Sequence, residues 1–253
     1  MRPLILITND DGVAAKGLAT LEAVACEFGD VVVMAPGTNA SGKGMSLTTE
    51  RPLRAKEVRQ GEGISVYACD GTPVDCVKLA VEHFCPRKPD LVLSGINHGS
   101  NSSINVLYSG TMGAVIEASV MGFSAIGFSL LNHNPEADFS ACVPYVRHIV
   151  GRVLEHGLPA DVSLNVNIPR MAEGEIKGLR VCQEAKALWT DSFEKRIDPI
   201  GRPYYWLTGK FVCNDPPAQS DETALKEGYV SVVPIHADYT HYGAIEQVNN
   251  ILQ

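Results

Sequence analysis

From Leu4 to Ile168 the chain repeats one pattern: a short apolar run, a polar loop, then a segment whose apolar residues fall at helical spacing. The runs are Leu4–Thr8, residues 30–35, Ile64–Cys69, residues 90–94, residues 124–131 and Ser163–Ile168. Near-continuous Val, Ile and Leu in such runs suits strands covered on both faces, as in a parallel sheet. Helices are predicted over residues 17–28, 74–84, 111–121 and 139–154, with Gly29 as a C-terminal stop after the first. Thr72 is placed to cap the second, with Pro73 at its first position. This alternation implies an α/β fold built on a doubly wound, mostly parallel sheet with right-handed crossovers. After Gly178 the texture turns aromatic and β-rich, in RPYYWLTGKF and GYVSVVPI, with no further helix expected until the tail near Ala244. A division into a core (1–178) and a β-rich extension (179–253) follows, the extension being the place for subunit contacts.

Charge narrows the function classes. A net charge of −8 and a pI near 5.4 lack the basic footprint of a protein that tracks a nucleic-acid backbone, so no nucleic-acid duplex is expected as partner. The seven cysteines show no CxxC pair and read as small core residues in a reducing compartment rather than as a zinc site. MRPLILITNDD turns acidic before a leader's apolar stretch can develop, and no apolar run nears the roughly 20 residues of a membrane helix. The cytoplasm is the expected location, with no membrane partner.

Ligands in open α/β sheets bind beyond the carboxyl ends of the strands. The loops that fall there are TNDDG after the first strand, APGTNASGKG after the second, and SGINHGSN with SGTMGA after the fourth. Singly, each could be a turn or a helix cap. Together they collect at one edge, where the adjacent carboxylates Asp10 and Asp11 would repel each other unless a cation lay between them. Oxygen donors from Asp, Ser and Asn suit a hard divalent ion, Mg²⁺ or Mn²⁺. The turn Ser109-Gly110-Thr111 at a helix start offers N–H groups and the positive end of a dipole, a place for an anion. A cation beside an anion pocket describes a phosphate site. A dinucleotide fold is disfavoured because the first βα turn lacks GxGxxG, and a phosphoacceptor receiver because Ser94-Gly95-Ile96-Asn97 stands where its Asp should be.

TNDDG, AP followed by NxSG and SLT, GTPVDCV, SGINHGSN, YSGTMGAVIEA and GYVSVVPI, in this order, resemble the survival protein SurE family of nucleotidases. The resemblance implies a Rossmann-like core with a carboxy-terminal extension exchanged between subunits of a homodimer or homotetramer. It implies a metal-dependent phosphatase that hydrolyses nucleoside 5'-monophosphates, and 3'-monophosphates as well, with one divalent ion as cofactor. Carried over by motif, Asp10, Asp11, Ser41 and Asn97 are the metal ligands, with Asp10 and Asp11 also catalytic. Asn39, Gly42, Ser109, Gly110 and Thr111 line the phosphate pocket. Gly37-Thr38 replaces an Asp-Arg pair common in that family, and Lys43 reads as a solvated side chain rather than a phosphate contact. His98 reads as a rim residue, and water is preferred to Asp11 as the attacking group because covalent aspartyl enzymes space their carboxylates DxD. Two alternatives share every loop: a phosphatase of another small phosphate, such as a sugar phosphate or short polyphosphate, and a nucleotide-binding regulator without turnover. The segment 183–221, with Trp189, Tyr204, Tyr205 and Trp206, is assigned to a subunit contact rather than to a cover over the pocket.

Overall fold

A computed structural model describes residues 2–214 and 216–253. Its centre is a nine-stranded sheet in which β1 (Leu4–Thr8) lies between β2 (Asp30–Pro36) and β5 (Leu91–His98). Outward from β2 come β4 (Ile64–Cys69) and β3 (Ala55–Gly61); outward from β5 come β6 (Ala125–Leu130) and β7 (Ser163–Ile168). The run β4-β2-β1-β5-β6-β7 is parallel throughout. Alternate residues of β1 serve two cores, as the two-residue period of a strand requires. Ile5 and Ile7 pack with α1 (Lys16–Ala25) and α4 (Val143–His156), whereas Leu4 and Leu6 pack with α2 (Pro73–His83) and α3 (Gly110–Val120). Helices thus cover both faces, and the apolar runs are buried for that reason.

The chain beyond Gly178 rejoins this sheet. Strand β13 (Val230–Ile235) pairs antiparallel with β7, and β8 (Leu179–Val181) pairs parallel with β13. Between them an arm leaves the body: β9 (Leu188–Trp189) pairs with β12 (Phe211–Val212), and β10 (Ser192–Ile197) forms an exposed hairpin with β11 (Pro203–Thr208). A six-residue helix, α5 (Asp221–Lys226), stands where no helix is expected before the tail, its start capped by Ser220, whose Oγ accepts the Thr223 N–H, and a terminal one, α6 (Ile245–Leu252), completes the chain. No helix among the described residues is long and apolar enough to cross a membrane.

Several elements depart from their expected bounds. Helix α1 stops at Ala25, because Glu27 N–H and Phe28 N–H bond the carbonyls of Val24 and Ala25 three residues back and tighten the last turn. Helix α4 starts at Val143, after a 3₁₀ turn over Ser140–Cys142, with Pro144 in its first turn where a missing N–H costs nothing. Strand β3 was not expected, since AKEVRQG is exposed and polar along nearly its whole length. Strand β5 runs four residues past Ser94, through a register shift between Ser94 and Asn97 and a cis Gly95–Ile96 peptide.

Candidate active site

Strand β1 is flanked by β2 on one side and β5 on the other, so the chain reverses its winding direction there and leaves a crevice beyond the carboxyl ends. Asp10 stands two residues past the end of β1 and is 3% exposed. Thr111 Oγ1 donates to Asp10 Oδ1 at 2.6 Å. Ser109 caps α3, its Oγ accepting the Met112 N–H at 3.1 Å, and the next residue is Gly110. A Cβ on Gly110 would lie 2.8 Å from Asp10 Cβ and 3.0 Å from Oδ2, so a bare backbone is what lets the helix start approach the carboxylate. Burial pushes the Asp10 carboxyl above the usual range, and donors on Thr111 together with the Gly110 backbone offset part of that rise.

Asp11 is half-buried, and its Oδ2 accepts the His98 N–H at 3.2 Å. Its carboxyl is also raised, by burial first and then by the charge of Asp10. Each side chain is therefore uncomfortable as an anion. The loop turns away at Gly12, whose φ of +107° is left-handed and whose N–H and C=O both bond the Asn9 amide.

The second loop is fastened to the first through backbone: Ala40 N–H donates to the Asp10 carbonyl at 2.7 Å, and Val13 N–H to the Pro36 carbonyl at 2.8 Å. Asn39 Oδ1 accepts the Ser41 N–H at 2.8 Å, which shapes the turn carrying Ser41 and Gly42. From the third loop, Asn97 Nδ2 donates to the Gly99 carbonyl at 3.0 Å, leaving its Oδ1 without a protein donor among the described residues. The loop that follows rests on a buried amide network: Asn101 N–H donates to Asn167 Oδ1 at 2.8 Å, and Asn165 Nδ2 to the Asn101 carbonyl at 2.8 Å.

These parts enclose a cleft of about 470 Å³ lined by Asp10, Ser41, Gly42, Asn97 and Ser109. Of the residues expected at the site, Gly110 and Thr111 sit behind this wall and hold Asp10, and Asp11 lies beside it against His98. Asn39 and Lys43 face a separate cavity of about 860 Å³ over the ends of β2 and β4, beside Arg51 and Arg54. No cluster of three or more His, Cys, Asp or Glu side chains among the described residues is arranged around a metal position. The available set is two carboxylates, an amide oxygen and a hydroxyl, all oxygen, which fits a hard divalent ion. The raised carboxyls and the free Asn97 Oδ1 are what such an ion would satisfy.

The family model "Survival protein SurE" matches residues 5–191, which spans all three loops. The chain belongs to the SurE family. It is 50% identical over 250 residues to a protein of Flavobacterium psychrophilum named 5'-nucleotidase SurE, covering 98% of this chain and 97% of that one. A protein of the same name from Christiangramia forsetii is 51% identical over 251 residues, covering 98% and 96%. The crystal structure of the SurE protein from Aquifex aeolicus superposes with a TM-score of 0.85 at 36% identity, covering 99% of this chain and all of that one. The α/β, doubly wound architecture expected from the apolar runs, with the Rossmann-like core that the resemblance implies, is thus the SurE fold.

One wall of the cleft was missed. Asn105, Tyr108, Trp189, Asp191 and residues 207–209 also line it, so Trp189 faces the pocket, while Tyr204, Tyr205 and Trp206 are exposed on the hairpin. Trp189 Nε1 donates to Asn105 Oδ1 at 2.8 Å, and its ring meets Phe211 edge-on at 5.7 Å. The arm is tied down by Asp221, which is fully buried and accepts the N–H groups of Ser103 at 2.8 Å and Ala185 at 2.9 Å. The one sequence signal for this wall was an indole with a polar surrounding, in ALWTDS. The Asn165–Asn167 pair, which sequence reasoning also missed, leaves a clearer mark: two amides at a two-residue interval in SLNVNI.

Proposed function

We propose that this protein is a metal-dependent phosphatase that hydrolyses nucleoside 5'-monophosphates, and 3'-monophosphates as well, to nucleoside and phosphate. The relatives named 5'-nucleotidase SurE support the reaction. The observation that carries it is Asp10, buried and uneasy as an anion at a cleft that also presents Ser41 and Asn97. Asp10, Asp11, Ser41 and Asn97 are assigned to hold one Mg²⁺ or Mn²⁺. Such an ion supplies charge neutralisation and Lewis acidity at a phosphoryl oxygen.

The chain's own groups do the rest. Asn39 orders the turn that presents Ser41 and Gly42 to the phosphate. Ser109, with Gly110 and Thr111 behind it, brings the positive end of α3 to bear on the phosphoryl oxygens as their charge rearranges. Asp11, held by the His98 N–H, is placed to take the proton of an attacking water. Residues 1–178 are assigned the chemistry and 179–253 the assembly into a homodimer or homotetramer, which the exposed Phe193, Ile197, Trp206 and Leu207 of the hairpin favour. The cytoplasm is the proposed location, supported by seven free thiols.

The test is phosphate release from a panel of purine and pyrimidine 5'- and 3'-monophosphates, ribose 5-phosphate and short polyphosphate, on chelator-stripped protein with Mg²⁺ or Mn²⁺ restored. Release from nucleotides that depends on the ion supports the reading. Tight nucleotide binding without release would leave a regulator, and preference for ribose 5-phosphate or polyphosphate would leave a different phosphatase.

A further inference from the structure

The lining of the cleft is of two chemical kinds. One is polar and includes Asp10, Ser41, Asn97 and Ser109; the other is aromatic, Tyr108 and Trp189, for which the phosphate chemistry has no use. Both aromatics keep substantial free surface, Trp189 being 40% exposed and Tyr108 57% exposed. Trp189 is nonetheless fixed. Its indole N–H is committed to Asn105 Oδ1 at 2.8 Å, its ring edge rests on Phe211, and its backbone pairs with Phe211 across the β9–β12 ladder. A large flat surface immobilised in this way loses little freedom when a second flat group stacks on it. Tyr108 directly precedes Ser109, the cap of the helix that faces Asp10, so an aromatic and a phosphate-site residue are neighbours along the backbone.

We infer that Trp189, with Tyr108 beside it, is the platform on which the nucleobase of the substrate stacks, and that Trp189 determines specificity for nucleotides over phosphates without a base. This rests on the nucleotidase reading above. A cleft of about 470 Å³ lies within the size range of small-molecule sites. The recognition is by the π-face, which every base has, so purine and pyrimidine monophosphates are all accepted and are ranked by stacking strength. Asn105 sets the ring's position through the indole N–H and is a positioning residue. Asn105 lines the same cleft, and its amide nitrogen, without an acceptor among the described residues, is the donor it can offer the base.

Two measurements test the platform. In Trp206→Phe the chain keeps Trp189 as its single tryptophan, since the sequence has two. Adenosine added to this variant in chelator should quench the fluorescence saturably, and ribose 5-phosphate should not. In steady-state assays Trp189→Ala should raise KM for AMP by about 5-fold to 100-fold, the range of one lost stacking contact, with kcat changed far less. The loss on ribose 5-phosphate should be at least five times smaller, and Trp189→Phe should recover most of the AMP affinity. An equal loss on AMP and ribose 5-phosphate, or no quenching by adenosine, would overturn the platform. Should adenosine quench while wild-type protein releases no phosphate from any nucleotide, the platform stands and the phosphatase reading falls. Should nucleotides turn over with KM insensitive to Trp189→Ala, the platform alone falls.

Discussion

Replacing Asp10 by Asn should raise the melting temperature of the metal-stripped protein and, in the same variant, remove most of the stabilisation that Mn²⁺ gives the wild type. The side chain is nearly isosteric and keeps Oδ1, the acceptor of the Thr111 hydroxyl at 2.6 Å, so that hydrogen bond survives and only its charge assistance, about 1 kcal/mol, is lost. Against this stands the burial of a carboxylate that is 3% exposed, and the upward shift of the Asp10 carboxyl says that burial outweighs the donors. A net gain on the order of 1 kcal/mol corresponds to about 2–4 °C in a chain of this size. The sign with pH follows from proton linkage. The folded carboxyl holds its proton above the ordinary value of 3.8, so the native state binds more protons in that window and wild-type stability falls as pH rises through it. The advantage of Asp10→Asn is therefore small in acid and grows as pH rises through that window. With Mn²⁺ at a hundred times its Kd the wild type should gain about 2.7 kcal/mol, or roughly 5–10 °C, and the variant a small fraction of that. Differential scanning fluorimetry in chelator and in Mn²⁺, at several pH values, reads both effects. Equal Mn²⁺ shifts in the two proteins, or a chelated variant melting several degrees below wild type at neutral pH, would refute the assignment of Asp10 as a buried charge awaiting a cation.

Gly110→Ala places a methyl 2.8 Å from Asp10 Cβ, and because both partners are backbone-fixed the helix start must retreat, lowering kcat at least 10-fold in the phosphate-release assay with little change in circular dichroism. Asp221→Ala strands the buried N–H groups of Ser103 and Ala185, at about 1–3 kcal/mol each, so the melting temperature should fall by roughly 5–15 °C and amide exchange should rise first around residues 100–109 and 183–191. Removing residues 192–208 should leave the sheet folded and lower the molar mass measured by light scattering, as expected if the hairpin is the assembly contact. Thr72→Ala deletes the capping-box hydroxyl of α2 and should cost about 0.5–2 kcal/mol in denaturant unfolding without altering the metal response.

The buried half of this fold was easy to read because strands covered on both faces must be apolar along their length. Leu4–Thr8, Ile64–Cys69 and Ser163–Ile168 fall where the apolar runs placed them. Strand β3 escaped because an edge strand in water carries polar residues, and AKEVRQG has no periodicity to detect. The return of β13 to the core was hidden for another reason: VSVVPI reads as a strand, and nothing local says that its partner is β7, more than sixty residues earlier. The same division holds at the cleft. The loops that carry Asp10, Ser41, Asn97 and Ser109 were legible because they fall at the edge where such folds bind ligands, whereas Ser41 and Asn97 as individual residues came only from the motif resemblance. Trp189 and Asp191 reach the cleft through the β9–β12 ladder and the Asp221 clamp, contacts made across long stretches of chain that no local pattern announces.

The arm from β9 to β12 is at once a wall and a handle: its base carries the indole at the mouth of the cleft, and its tip carries the exposed apolar hairpin. If a neighbouring subunit grips the tip, as proposed, the base stiffens with it and substrate capture would be mechanically linked to quaternary state. Dilution of the assembled protein should then loosen nucleotide capture before it slows phosphate release.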